Sequence, residues 1–374
     1  MVEILVLTRG HGFGHAARDL RVIQALRRRP GITVRVMAEG SALDYYRMRG
    51  EPCTPLPDEG FGEVAAKAVW KALATVPRPD LVVSDEVMWA LPYARKIWKR
   101  PCVVLLCALW AEYGLPEADR FFDAADEVMV LDFPQNRRPA YGTTAPLSFL
   151  GPVVRTFTTE RGAARAGLGI GERDEVAVLS LGGMNTRPES RRMAAAAIGA
   201  WRAYAEPGAR LLVLADRQTE PDPVHDGDDT HGGTVVWAGV TPEPETYYRA
   251  ADIVLNDAMG STVCDLAWNR VATVALLDEP SASRFPRTFL GRVRHLTAAG
   301  LIEMAPVHEG RLTVWQAIER ARSGSARTHG RVLDAFGWST GESVARRLLD
   351  LLEAGGGKRL DGPRDRSGKA RPVG

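Results

Sequence analysis

The sequence predicts an α/β chain made of two similar halves, each folded around a parallel sheet. Three observations carry that prediction. Apolar, strand-length runs alternate with helix-length amphipathic stretches from the first residues onward, the grammar of repeated β-α-β units. The grammar pauses at "FLGPVVR", residues 149–155, and restarts at "EVAVLSLGG", residues 175–183. In both halves the opening strand runs straight into a glycine turn and a helix, "GHGFGHAARD" at 10–19 and "LGGMNT" at 181–186. Ligands of such sheets sit beyond the carboxyl ends of the strands, so two facing halves would enclose a cleft onto which both glycine turns open.

The elements follow in order. "VEILVL" at 2–7 is the first strand, residues 16–28 form an amphipathic helix, and after the turn "RPG" comes "ITVRVMA" at 32–38 as the second strand. "DLVVSD" at 80–85, the helical "WALPYARKIWK" at 89–99, "CVVLLCA" at 102–108 and "EVMVLD" at 127–132 complete the first half. The second half adds an alanine-rich helix at about 187–204 and the strands "ARLLVLAD", "GTVVWAGV", "ADIVLND" and "VATVALLD". The expected domains are residues 1–152 and 153–354, with the last helix packing back on the first domain, followed by a disordered basic tail at 355–374.

Composition narrows the function. With 374 residues and 45% hydrophobic content the chain can bury two cores. Its four cysteines show no Cys-x-x-Cys pair, which points to a reduced, cytoplasmic setting. Neither a basic leader nor a run of about 18 apolar residues is present, so neither export nor stable membrane insertion is expected. The tail carries six basic and two acidic side chains, +4, and the net charge of +2 leaves 2 − 4 = −2 for the rest. A body without basic excess argues against nucleic acid as a partner.

The opening loop carries the first chemistry. The dinucleotide fingerprint G-x-G-x-x-G would need a glycine after Gly10 and Gly12 at position 15, where His15 stands, so a nicotinamide site is not supported. What remains is a strand, a turn in which Gly10, Gly12 and Gly14 admit close approach, and a helix start that favours negative charge. His15 at that positive end would be held toward its neutral form, which suits a general base, or it caps the turn without further role. His11 is read as loop or acceptor contact, and Arg18 and Asp19 either pair locally or reach the cleft. Asp85, ending its strand, either orients His15, touches the acceptor, or caps.

Two further turns repeat the arrangement. Gly182 and Gly183 with the following amides could cradle a phosphate or simply turn the chain. In "NDAMGSTVCDLAW" a strand ends near Asp257, the turn "AMGST" follows, and Asp265 stands one turn into the next helix. The turn offers amides and hydroxyls to a diphosphate and Asp265 two acceptor oxygens to a ribose; equally, Ser261 or Thr262 caps the helix and Asp265 complements its dipole. The acidic "DGDD" at 226–229 reads as a solvated loop rather than a metal site.

These residues resemble a family. "GHGFGHAARDLRVIQAL" is similar to the opening loop of the GT-B glycosyltransferases, two Rossmann-like domains facing across a cleft, especially the branch with bacterial lipid II synthase and related natural-product enzymes. "MGSTVCDL" resembles their nucleotide-sugar signature, with Asp265 where Glu is usual, "FLGPVV" the interdomain connection, and "RPDLVVSD" the strand on the acceptor side. The resemblance implies that Gly14 and His15 face donor phosphates and acceptor, that Gly182, Gly183 and Met184 line the donor side, and that Met259, Gly260, Ser261 and Thr262 hold the diphosphate. It further implies Asp265 on the ribose and backbone near Val240 on the nucleobase. Where relatives carry a Gln pair and an Asn, this chain has Arg284, Arg287, Thr288, Phe289 and Arg292, with Arg287 read as a donor contact.

The expected function is inverting, metal-independent transfer of a sugar from a UDP-, dTDP- or GDP-linked donor to a small soluble acceptor, in secondary metabolism. The nucleotide sugar is a co-substrate and no cofactor is expected. His15 would take the acceptor proton while helix starts and loop amides meet the leaving diphosphate. Trp110, with Trp70, Trp89 and Trp98, forms an acceptor platform or packs as core. The expected assembly is a monomer or homodimer. A nucleotide-sugar 2-epimerase of the same fold, or a noncatalytic partner protein, are the competing readings.

Overall fold

The computed structural model describes residues 1–10, 12–57, 62–114, 116–136, 141–181, 188–216, 232–258, 260–279, 287–324 and 336–356. Two parallel sheets organise them. The first has seven strands in the order β3-β2-β1-β4-β5-β6-β7: β1 (Val2–Thr8), β2 (Ile32–Ala38), β3 (Thr54–Pro55), β4 (Leu81–Asp85), β5 (Cys102–Leu106), β6 (Glu127–Val130) and β7 (Leu147–Phe149). The second has six, in the order β10-β9-β8-β11-β12-β13: β8 (Val176–Ser180), β9 (Arg210–Val213), β10 (Thr234–Trp237), β11 (Ile253–Asp257), β12 (Thr273–Leu277) and β13 (Glu303–Pro306). Both orders reverse once, between β1 and β4 and between β8 and β11. Those two switch points are where such sheets bind ligands.

Burial on both faces explains the near-continuous apolar strands. Ile4 and Val6 of β1 pack toward α1 (Phe13–Arg27), while Leu5 and Leu7 join the opposite cluster with Leu73, Leu91 and Trp98. In the second half Ala177 and Leu179 face α6 (Pro188–Tyr204) through Trp201, and Val176 and Val178 face Phe157 and Tyr248. The elements α2 (Gly40–Met48), α3 (Glu63–Leu73), α5 (Arg161–Gly167) and α7 (Glu245–Ala250) connect the strands, and α8 (Thr262–Trp268) follows β11. The stretch expected as one helix after β4 is instead α4 (Ala90–Tyr93) continued by a π-helical turn, Ala94–Trp98. Pro92 stands in the first turn of α4, where its missing N–H costs no helical bond.

Two crossings join the halves. Val153 bridges Ser339 in parallel, and a Cβ on Gly151, whose φ is +81°, would lie 1.6 Å from Gly337 O, so only glycine lets the two segments touch. After α9 (Arg287–Ala298) and α10 (Arg311–Arg322) in the second half, the final helix α11 (Gly341–Gly356) returns to the first sheet. There Val344, Ala345 and Leu348 pack with Ile23 and Leu26 of α1. Arg347 forks onto the buried Glu127 at 3.0 and 2.7 Å, and Glu342 pairs with Arg28 and Arg29. No described helix is long and apolar enough to cross a membrane. The basic tail lies outside the described residues apart from the end of α11.

Candidate active site

The first switch point gathers side chains from three elements. Thr8, at the end of β1, lies in register with Asp85 at the end of β4, and α1 begins four residues beyond Arg9. Two of the three glycines have a steric reason, and the third marks a contact between the halves at ordinary packing distance. A Cβ on Gly10 would sit 2.5 Å from Glu39 O, Gly12 holds a left-handed φ of +75° at the helix start, and a Cβ on Gly14 would meet Ser261 Oγ of the second half at 3.5 Å. No side chain caps α1, and its first turn has no acid, so the free N–H groups keep their preference for an anion.

His15 lies within the first turn of α1 with Nδ1 3.1 and 3.0 Å from the two oxygens of Asp85. Asp85 is fully buried and also accepts Arg18 Nη2 at 2.6 Å. Burial would raise the Asp85 carboxyl, but Arg18 and His15 outweigh it and hold the group below the usual carboxylate range. With Asp85 ionised, the His15 proton belongs on Nδ1, which leaves Nε2 as the basic nitrogen. Burial disfavours the His15 imidazolium, yet Asp85 and Glu86 together raise its pKa above 6.5. This corrects the expectation that the helix end keeps His15 neutral: carboxylates at hydrogen-bond distance outweigh a dipole.

Arg18 does both things the sequence allowed. It keeps a local ion pair with Asp19, Oδ1 3.6 Å from Nε, while its guanidinium also serves Asp85 at 2.6 Å and donates to Cys107 Sγ at 2.7 Å. Asp19 accepts from Thr8 Oγ1 at 2.8 Å, and Tyr46 OH lies 2.9 Å from the same hydroxyl. Burial and the nearby Asp85 push the Asp19 carboxyl well above the usual range. Glu86 takes a left-handed φ of +57°, a strained conformation for a residue with a Cβ, and approaches Arg9 at 3.7 Å. Among the described residues His15, Asp85 and Glu86 each bring one ligand atom within 4.8 Å of the others, a spacing compatible with a metal ion. The Arg18 guanidinium already supplies a cation to that cluster.

The second switch point is described at the end of β11 and the start of α8. Gly260 N donates to Asp257 O at 3.1 Å, and Ser261 occupies the start of α8 without a side-chain cap. Ser261 is exposed and Thr262 half-buried. Asp265, buried one turn in, accepts both Arg21 of α1 and the Arg155 amide. Val240 stands 47% exposed two residues past β10 and its following alanine, open to a ligand. Trp110 is half-buried beyond β5 and packs against the same core as the half-buried Trp70 and Trp89, whereas Trp98 is buried within that core. Arg292, only 3% exposed, reaches from α9 to Asp132 of the first half at 3.0 Å. His11, Gly182, Gly183, Met184, Met259, Arg284 and the "DGDD" loop lie outside the described residues, as does the side chain of Arg287 at the start of α9.

The structure therefore brings His15, Asp85, Gly14 and Ser261 to one place with Arg18, Arg21 and Glu86, and the sequence had assigned no site role to Arg21 or Glu86. A signal existed for Arg21: Gly14, Arg18 and Arg21 are spaced four and three apart, hence on one face of α1.

No family model matches the sequence, and no curated protein matches it. Solved structures match in fold. The glycotransferase of kitacinnamycin is 17% identical over 94% of this chain and 98% of that one, with a TM-score of 0.61. The spinosyn forosaminyltransferase SpnP is 16% identical over 94% and 99%, with a TM-score of 0.63. The UDP-GlcNAc 2-epimerase from Neisseria meningitidis, solved bound to UDP-GlcNAc, is 12% identical over 94% and 100%, with a TM-score of 0.61. At such identities the likeness is one of architecture: the chain has the fold of the GT-B glycosyltransferases, two Rossmann-like domains of parallel strands facing across a cleft.

Proposed function

We propose that the protein is a cytoplasmic, inverting glycosyltransferase that moves a sugar from a nucleoside diphosphate sugar to a small soluble acceptor of secondary metabolism. The observation that carries this reading is the His15–Asp85 pair at the first switch point, with the start of α8 facing it across Gly14 and Ser261. Residues 1–152 take the acceptor and residues 153–354 the donor. Asp85 holds His15 by Nδ1 and stabilises the imidazolium that forms when Nε2 takes the acceptor proton. Arg18 positions Asp85 and keeps it ionised.

The acceptor oxygen then attacks the anomeric carbon as the bond to the diphosphate breaks, inverting that centre. Backbone N–H groups at the Gly260–Thr262 turn and the α1 start meet the leaving charge, so the scheme routes no step through a metal. Val240 lies near the nucleobase, Trp110 near the acceptor. The test is calorimetric titration with UDP, dTDP, GDP, ADP and NAD. Tight binding of one diphosphate, weakened by Asp265→Ala, supports the reading, and no binding of any of them removes it.

The position of Glu86 beside Asp85 and His15 favours one second reading, a nucleotide-sugar 2-epimerase, which needs extra carboxylates at the sugar. Incorporation of solvent deuterium at sugar C2 without any acceptor would establish it over transfer.

A further inference from the structure

Asp265 has no idle oxygen. Arg21 Nη1 donates to Oδ1 at 3.0 Å, Arg21 Nη2 to Oδ2 at 2.6 Å, and the Arg155 amide to Oδ1 at 2.9 Å. Arg21 stands on α1 in the first half and Asp265 on α8 in the second, so the fork spans the domains. Arg21 Nη1 also donates to Val153 O at 2.7 Å, which ties the crossover segment into the same contact. The pair is shielded, with side chains 18% and 10% exposed, and a shielded bidentate pair is not the negligible surface kind. A carboxylate offers about four lone-pair sites, and a guanidinium fork covers the edge that holds both oxygens. A ribose diol needs that same edge.

We propose that Arg21 gates the donor site: its guanidinium and the ribose of the nucleotide compete for Asp265, so the nucleotide enters only as the domains part at this contact. The inference rests on the reading of Asp265 as the ribose ligand. Linkage then fixes the signs. Weakening the Arg21–Asp265 pair tightens nucleotide binding, and bound nucleotide loosens the interdomain contact by the same factor. An Arg21 that only braces the fold has the opposite sign, because its loss frees Asp265 and the crossover and weakens binding.

The experiment titrates the full chain with UDP, dTDP and GDP as wild type, Arg21→Lys, Arg21→Met and Asp265→Ala, and records small-angle scattering of the wild type with and without the nucleotide that binds. The gate predicts binding at least about fivefold tighter in Arg21→Met, the low end of ordinary coupling between sites. Arg21→Lys, which keeps the charge and loses the fork, gains less, Asp265→Ala loses affinity, and the nucleotide expands the wild type. If the wild type binds and Arg21→Met binds equally or more weakly, the gate is overturned while the donor site stands. If wild type and both Arg21 variants bind no nucleotide, the donor-site reading falls and takes the gate with it. Should Arg21→Met fail to fold, Arg21→Lys and the scattering decide: tighter binding with expansion supports the gate, and the lack of either overturns it.

Discussion

The two switch points are built to opposite specifications. In the first, β1, β4 and α1 bring His15, Arg18, Asp19, Asp85 and Glu86 into one buried or half-buried network in which each charge is fixed by another. In the second, among the described residues, α8 presents an exposed Ser261 with no side-chain cap and Asp265, already claimed by the opposite domain. Protein groups that must be ready before substrate arrives are preorganised by neighbours of low mobility. A surface that reads a ligand through backbone N–H groups needs few side chains. Under the proposed function the contrast suits proton chemistry in the first half and ligand holding in the second.

The largest effect expected from breaking the first region is on rate. His15→Ala should lower kcat/KM for sugar transfer by about 10²–10⁴-fold, the usual worth of a positioned base, while nucleotide affinity by calorimetry stays the same. Equal losses in both would dissolve the division between the halves. Asp85→Asn removes the partner of a buried guanidinium, and its expected cost is about 3–5 kcal/mol in urea unfolding.

Charge state offers a finer cut. Transfer needs His15 Nε2 unprotonated, so the rate should rise with pH through a midpoint above 6.5. Because the folded-state value exceeds the unfolded one, His15 also contributes stability that is complete below pH 6.5 and lost as pH rises through the folded-state value. Glu86→Gln should move the rate midpoint down, read from a pH–rate profile; an unchanged midpoint would detach Glu86 from His15. The smallest effect belongs to the second region. Ser261→Ala, at a helix start where no side-chain cap is made, should change stability by under about 0.5 kcal/mol in thermal unfolding.

The sequence spoke clearly where burial imposes a period. The limits of β2, Ile32–Ala38, and the long α6 follow from apolar runs and their flanking turns. The helix α3 was equally open to reading, since Ala65, Val69 and Leu73 are buried at intervals of four, but its flanks are polar loops that mask the signal. Pairings between distant residues were out of reach in another sense. That Arg18 would also reach Asp85, or that Arg21 would cross to Asp265, depends on where α1 settles on two different sheets, and no local pattern encodes that. Glycines were legible as a loop of close approach, though only Gly14 turned toward the other domain.

The elements β1 and α11 share one core in the first half, and the chain leaves and re-enters that half through the paired segments at Gly151 and Gly337. Between those two segments the second half is thus inserted into the first like a cassette. Such a layout lets the inserted half be exchanged for another of its kind with the socket intact, so that one half can diverge while the other stays as it is.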